Sequence, residues 1–152
     1  MLSGSFVYDS EGSLTRFGDY MRQRHAVRSS IIVYRSEEEE HSLELLDETD
    51  VLLVFARRLL TGGRELDRLK AYCARGGAVV GVRTASHAFQ NWLEFDREVL
   101  GGNYQGHEAA GPVIHVSASP DGEGHPVLRG VSDFACDSSL HEGSLYRNAP
   151  IA

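Results

Sequence analysis

Short aliphatic runs alternate along the chain with stretches whose apolar residues recur every three to four positions. Ser30–Tyr34 (SIIVY), Val51–Ala56 (VLLVFA) and Ala78–Val82 (AVVGV) are runs of strand length, and Val113–Val116 (VIHV) is a weaker fourth. Continuous rather than alternating apolar character fits strands covered on both faces, as in a parallel sheet. Between the runs, Leu14, Phe17 and Met21 share one helical face, with Ser10 placed as an N-cap. Leu66, Leu69 and Cys73 repeat that spacing ahead of Gly76 and Gly77, and Trp92, Phe95 and Val99 repeat it ahead of Gly101 and Gly102. Glycines at those places act as helix stops. Strand, helix, strand, helix predicts an α/β layered domain.

Two features predict that residues 1–152 form a single but incomplete domain. The first helix opens near residue 11 with only Met1 and Leu2 ahead of it, where this architecture places a strand. At the other end, Tyr146–Ala152 (YRNAPIA) stops without the strand and helix that would close the sheet. A sheet short of a strand exposes unpaired backbone and apolar faces, which predicts poor solubility. Glu37–Glu40 reads as a solvated loop or a helix start.

Composition narrows the function classes. Apolar residues make up 41% of 152 positions, in the range of one ordinary globular domain. The longest aliphatic run has six residues, against about 18–20 for a spanning helix, so no membrane partner is expected. A net charge of −7, from 15 Lys and Arg against 22 Asp and Glu, argues against general nucleic-acid binding. Cys73 and Cys136 form no CxxC, so neither a thiolate zinc site nor a disulfide scaffold is indicated. The opening MLSGSFVYDSEGS lacks the basic region and apolar core of a secretory signal, which makes the cytoplasm the expected compartment.

In an open parallel sheet, ligands bind outside the carboxyl ends of the strands. That rule selects Ser3-Gly4-Ser5 with Tyr8, then Arg57 and Arg58, then Arg83-Thr84-Ala85-Ser86-His87. Guanidinium forks beside Ser and His suit an anionic or polyhydroxylated small molecule. Arg57 or Arg58 could equally pair with a nearby carboxylate, and His87 could be a hydrogen-bonded packing residue. Leu100–His107 (LGGNYQGH) offers Tyr104 and His107 either to a ligand or to a tight helix-to-strand connection. His87 and His107 could share a divalent metal such as zinc. No GxxxxGK[ST], GxGxxG or HExxH is present. His115 reads as a strand residue, His125 as a loop marker, and His25, His41 and His141 as surface groups.

The stretches GVRTASHAF (Gly81–Phe89) and WLEFDREVLGGNYQGH (Trp92–His107) resemble the trehalose-utilisation (ThuA-like) family, a branch of the class I glutamine-amidotransferase-like superfamily. DVLLVFARRLL (Asp50–Leu60), HPVLRGV (His125–Val131) and GSLYRNAPIA (Gly143–Ala152) support it, and SGSFVYDSEGSL (Ser3–Leu14) fits more loosely. The resemblance implies a flavodoxin-like parallel sheet with helices on both faces, truncated at both ends. It also implies a place in the use of trehalose-type or keto-disaccharides. The superfamily's amidotransferases carry a Cys nucleophile, assisted by His and Glu, at the turn after the strand that corresponds to Ala78–Val82. Here that turn carries Arg83, which cannot act as a nucleophile. Cys73 falls on a predicted helix face and Cys136 in a late loop, so glutamine hydrolysis through a thiolate is not expected.

Three readings follow. In the first, a sugar-processing enzyme uses His87 as general acid/base. Arg83, with Arg57, Arg58, Thr84, Ser86, Tyr104 and His107, then holds the substrate. In the second, the same rim binds a small molecule without turnover. In the third, a metal held by His87 and His107 activates water for hydrolysis. The expected partner is a sugar-like ligand, and a homo-oligomer is compatible with all three.

Overall fold

The computed structural model describes residues 1–107, 113–122, 124–137 and 146–148, and it falls into two compact units. Met1–Asn103 carries a parallel sheet of β1 (Leu2–Gly4), β2 (Ile32–Val33), β3 (Val51–Ala56) and β4 (Ala78–Gly81), in the order β2-β1-β3-β4. Helix α1 (Ser10–Arg24) follows β1, and α2 (Gly63–Ala74) follows β3. The fold of this unit is mixed α/β, as the run-and-helix pattern predicts.

The strand expected to be missing ahead of the first helix is present, and it is central. Leu2 pairs with both Ile32 and Val54, and Gly4 with Ala56. Three residues, two of them small, leave no aliphatic run to detect. The small residues have a packing reason. A Cβ on Gly4 would stand 3.1 Å from Leu59 and 3.3 Å from Tyr34, tighter than ordinary van der Waals contact. The predicted strand at Ser30–Tyr34 contracts to two residues, and that at Ala78–Val82 ends at Gly81.

Side chains alternate across β3 as they must in a strand. Leu52, Val54 and Ala56 join Leu66, Leu69 and Tyr72 of α2 in the main core, together with Leu2, Leu43, Leu59, Phe89 and Phe95. Phe55 lies on the opposite face beside Ser3, whose hydroxyl meets that of Ser10 on α1 at 2.8 Å. The two helices therefore cover opposite faces. Cover is incomplete toward β4, where Val51 and Val80 are half-exposed. Covering on both faces, inferred from aliphatic content, holds for β1 and the middle of β3 but not for this edge.

Helix α1 departs from its predicted face. Its buried residues are Ser10, Leu14 and Gly18, while Phe17 is exposed. Asp9, not Ser10, is the N-cap, its carboxylate accepting from Gly12 N at 2.9 Å. Ser10 is thereby freed to turn inward. On α2, the predicted Leu66 and Leu69 are buried and Cys73 half-buried, but Tyr72 is the larger anchor. Its hydroxyl donates toward the carbonyls of Ala78 (2.9 Å) and Asp50 (3.2 Å), tying the helix to the ends of β4 and β3. Arg68, nearly buried on the same helix, reaches Asp47 and Glu65 at 3.5 Å and holds the short helical turn Glu44–Glu48 against it.

The third predicted helix is not a regular one. Trp92 and Phe95 are buried as expected, but Asp96–Leu100 winds as a π-helix and closes on Gly101 at φ 69°. The acidic run Glu37–Glu40 is a loop, docked by Leu60 N donating to Glu37 O at 2.7 Å. His41 is not a free surface group, because its ring packs edge-on against Tyr34 at 4.7 Å.

The second unit, Tyr104–Ala149, contains two antiparallel pairs. β5 (Tyr104–His107) pairs with β8 (Tyr146–Asn148), and β6 (Val113–Val116) with β7 (Phe134–Asp137). Val113–Val116 is therefore a strand, as predicted, but outside the parallel sheet. Tyr104–His107 is a strand, not a glycine loop, and Cys136 sits opposite Ile114 within β7, not in a loop. His141 and residues 149–152 lie outside the described residues, as do the side chains of His107 and Cys136.

Burial also sets an expected pH response. Desolvation raises the pKa of the Tyr34 and Tyr72 hydroxyls and of the Cys73 thiol above their ordinary values. On heating at high pH the unfolded chain would release these protons first, so it binds fewer protons and stability falls as pH rises. Urea midpoints should hold at neutral pH and decline from about pH 9 upward, the thiol first and the phenols above about pH 10. Tyr34→Phe should flatten part of the upper limb; a midpoint unchanged between pH 8 and 11 would contradict the assignment.

Candidate functional site

The strand order reverses at β1, since β2 lies on one side of it and β3 on the other. Loops leaving β1 and β3 diverge there and open a crevice at the carboxyl ends. Four buried hydroxyls floor it. Ser10 Oγ contacts Ser3 Oγ at 2.8 Å and accepts from Ser5 N at 3.1 Å. Thr84 Oγ1 donates to Ala56 O at 2.8 Å and lies 3.3 Å from Ser5 Oγ. This lattice stitches β1, α1, β3 and the turn after β4 together. Thr84→Val should lower stability by about 1–3 kcal/mol, the cost of an orphaned buried carbonyl. A thermal melt within 0.5 °C of wild type would show that the bond contributes nothing.

The backbone brings the predicted rim residues to one place. Arg57 N donates to Gly4 O at 3.1 Å, Arg58 N to His87 O at 2.9 Å, and Leu59 N to Ala88 O at 2.7 Å. Arg83 stands where β4 turns into the short helical segment Arg83–His87, with φ +48°, and Arg58 has φ +56°. Left-handed backbone is uncommon for residues with a Cβ and clusters at functional turns. The Arg83 guanidinium lies over the Tyr8 ring at 4.2 Å, and Tyr8 in turn stacks on Phe55 at 6.3 Å. Neither Arg57 nor Arg58 pairs with a carboxylate among the described residues. Ser86 Oγ and His87 Nδ1 are 3.0 Å apart. With Ser86 donating, the His87 proton resides on Nε2.

Beside this rim is a cleft of about 340 Å³ between the β1–α1 turn and the end of β2. Ser3, Ser5, Tyr8 and Ser10 line it, as do Asp9, Glu11 and Arg35, which the sequence reading did not single out. Arg35 follows β2 and pairs with Glu11 at 3.3 Å across the cleft, while Asp9 is held by Gly12 N and Arg16. Arg35 directly follows the aliphatic run Ser30–Tyr34, so the strand-end rule applied to that run points to it as well.

Tyr104 and His107 belong to the second unit, on β5. Among the described residues, no group of three or more His, Cys, Asp and Glu side chains converges on a metal-sized point. Cys73 is on α2 and its thiol is pushed up by burial, the reverse of what a thiolate nucleophile needs. No described helix is long and apolar enough to cross a membrane. Comparison of the chain with protein-family models, with curated proteins and with solved structures finds no match.

Proposed function

We propose that this chain is a ThuA-like protein of flavodoxin-like, amidotransferase-related architecture that binds a sugar-like small molecule at the carboxyl rim of its sheet. It would act on trehalose-type or keto-disaccharides without a cysteine nucleophile. One observation carries this reading: Arg83 occupies a left-handed strand-to-helix turn, stacked on Tyr8. Such a turn displays its residue at the top of an α/β sheet, the geometry other enzymes use for a nucleophile. Here it displays a permanent cation, which orients or polarises a substrate. His87, three residues into the same segment from Thr84 and held at Nδ1 by Ser86, supplies proton transfer from Nε2. Thr84 fixes the turn from below, and Arg57 and Arg58 flank it from β3.

The same observation favours a second reading, a binding module without turnover, because the displayed position carries no group that can form a covalent intermediate. Calorimetric titration of the chain with trehalose and with 3-keto-trehalose, followed by product analysis, separates the two. Binding with product formation supports the enzyme, and binding without product supports the module. Absence of binding to either sugar overturns both.

A further inference from the structure

We propose that the rim takes the anionic group of its ligand, a carboxylate or phosphate carried on a small molecule, and that Arg83 receives it with Arg58 in support. The inference deepens the rim reading above and rests on it for the location of the site.

The Arg83 guanidinium carbon lies 4.2 Å from the centre of the Tyr8 ring and the residue is exposed, so its N–H donors are open to a ligand. Among the described residues no carboxylate lies within ion-pair distance of Arg83 or Arg58. Arg16, Arg22, Arg35, Arg64, Arg68 and Arg97 of the same unit each have an acidic partner, whereas Arg58 and Arg83, with Arg24, Arg28, Arg57 and Arg75, have none among the described residues. The carboxylates that line the neighbouring cleft have partners of their own, Glu11 in Arg35 and Asp9 in Arg16 and Gly12 N.

Both rim arginines also sit at positive φ, where glycine would be easier. The backbone strain is tolerated without any internal ion pair to justify a guanidinium at either place. The planar donor fork of a guanidinium matches a carboxylate or phosphate in two parallel hydrogen bonds. An acidic group carried on a sugar-like ligand would compensate that charge, in addition to the hydroxyl contacts a neutral sugar makes.

Titration calorimetry of the whole chain at low and at high NaCl, with gluconate, inorganic phosphate and trehalose, tests this. Arg83→Gly is the informative variant, since it removes the guanidinium and relaxes φ, so the fold should melt no lower than wild type. Gluconate or phosphate should bind, more weakly in high salt, and lose about ten- to a hundred-fold in affinity in Arg83→Gly and Arg83→Gln. Arg58→Gln should lose less. Phosphate binding that depends on Arg83, with no response to either sugar compound, upholds the anion site and removes the sugar reading. Trehalose binding without either anion does the reverse. Anion binding unchanged in both Arg83 variants, or absent from the wild type, overturns the proposal.

Discussion

Replacing Phe89 with alanine is expected to cost about 3–5 kcal/mol of stability, the range for emptying a large aromatic site in a packed core. Phe89 is 1% exposed and meets Phe95 edge to face at 5.0 Å. Its own backbone bridges to Leu59, and the flanking bonds Leu59 N to Ala88 O (2.7 Å) and Gln90 N to Leu59 O (2.9 Å) zip the two post-strand segments together. The cavity would open directly beneath the rim that carries Arg58 and His87. Since domains of this size hold only about 5–15 kcal/mol in all, the variant should show a large drop in its urea midpoint. A loss below about 1.5 kcal/mol would mean that the site collapses around the gap and that the core is less tightly packed there than described.

For His87→Ala the expected loss is in rate, not in folding. A general acid/base contributes about 10²–10⁴-fold to turnover, and the variant should fall by that factor on a keto-disaccharide while its affinity changes little. The fold should persist, because the His87 backbone carbonyl, which accepts from Arg58 N at 2.9 Å, is kept in the variant. Removing the imidazole also leaves Ser86 Oγ without its 3.0 Å partner, but at a position open enough for water to replace it. Single-turnover rates and a melting curve measured on the same preparation decide the matter. An intact variant that turns over at the wild-type rate would sink the acid/base role and leave the binding module as the better reading.

The parts of the fold that were legible in the sequence are those whose signal is concentrated. VLLVFA spells β3 without ambiguity, and Leu66 and Leu69 mark the buried side of α2. β1 was invisible because Leu-Ser-Gly is short and its small residues answer to neighbours, Leu59 and Tyr34, that come from far along the chain. Phe17 misled for a related reason. The periodic face was read by hydrophobicity, whereas α1 packs through Ser10 and Gly18, small residues that let it approach β1 closely. Cys136 and Tyr104 were misplaced because strand pairing with distant partners leaves no local mark.

The rim was legible for a different reason, topology alone. Once parallel strands are assigned, the residues after each carboxyl end must share a side of the sheet, so Ser5, Arg57, Arg58, Arg83 and Thr84 came together as expected. What could not be read was how they touch. The stacking of Arg83 on Tyr8, the left-handed turns at Arg58 and Arg83, and the buried hydroxyl lattice all depend on side-chain geometry that one-dimensional spacing does not encode. Asp9, Glu11 and Arg35 were missed beside the cleft, although Asp9 could have been found as the better cap residue four positions before Ser13, whose N–H it receives at its carbonyl.

The central place of β1 has a consequence for how the chain reaches this structure. Leu2–Gly4 pairs with Ile32 and Val33 on one side and with Val54–Ala56 on the other. β1 is thus flanked on both sides by segments made later, and it forms no hairpin with either. During vectorial synthesis it must wait about thirty residues for β2 on one side and more than fifty for β3 on the other. Contacts of such long separation close slowly, and an innermost strand left waiting is a place for transient mispairing and for chaperone engagement. The rate at which the newly made chain completes this sheet is therefore governed by when β3 arrives, and silent codon changes that slow translation between residues 34 and 50 would lengthen the window in which one edge of β1 stays unpaired.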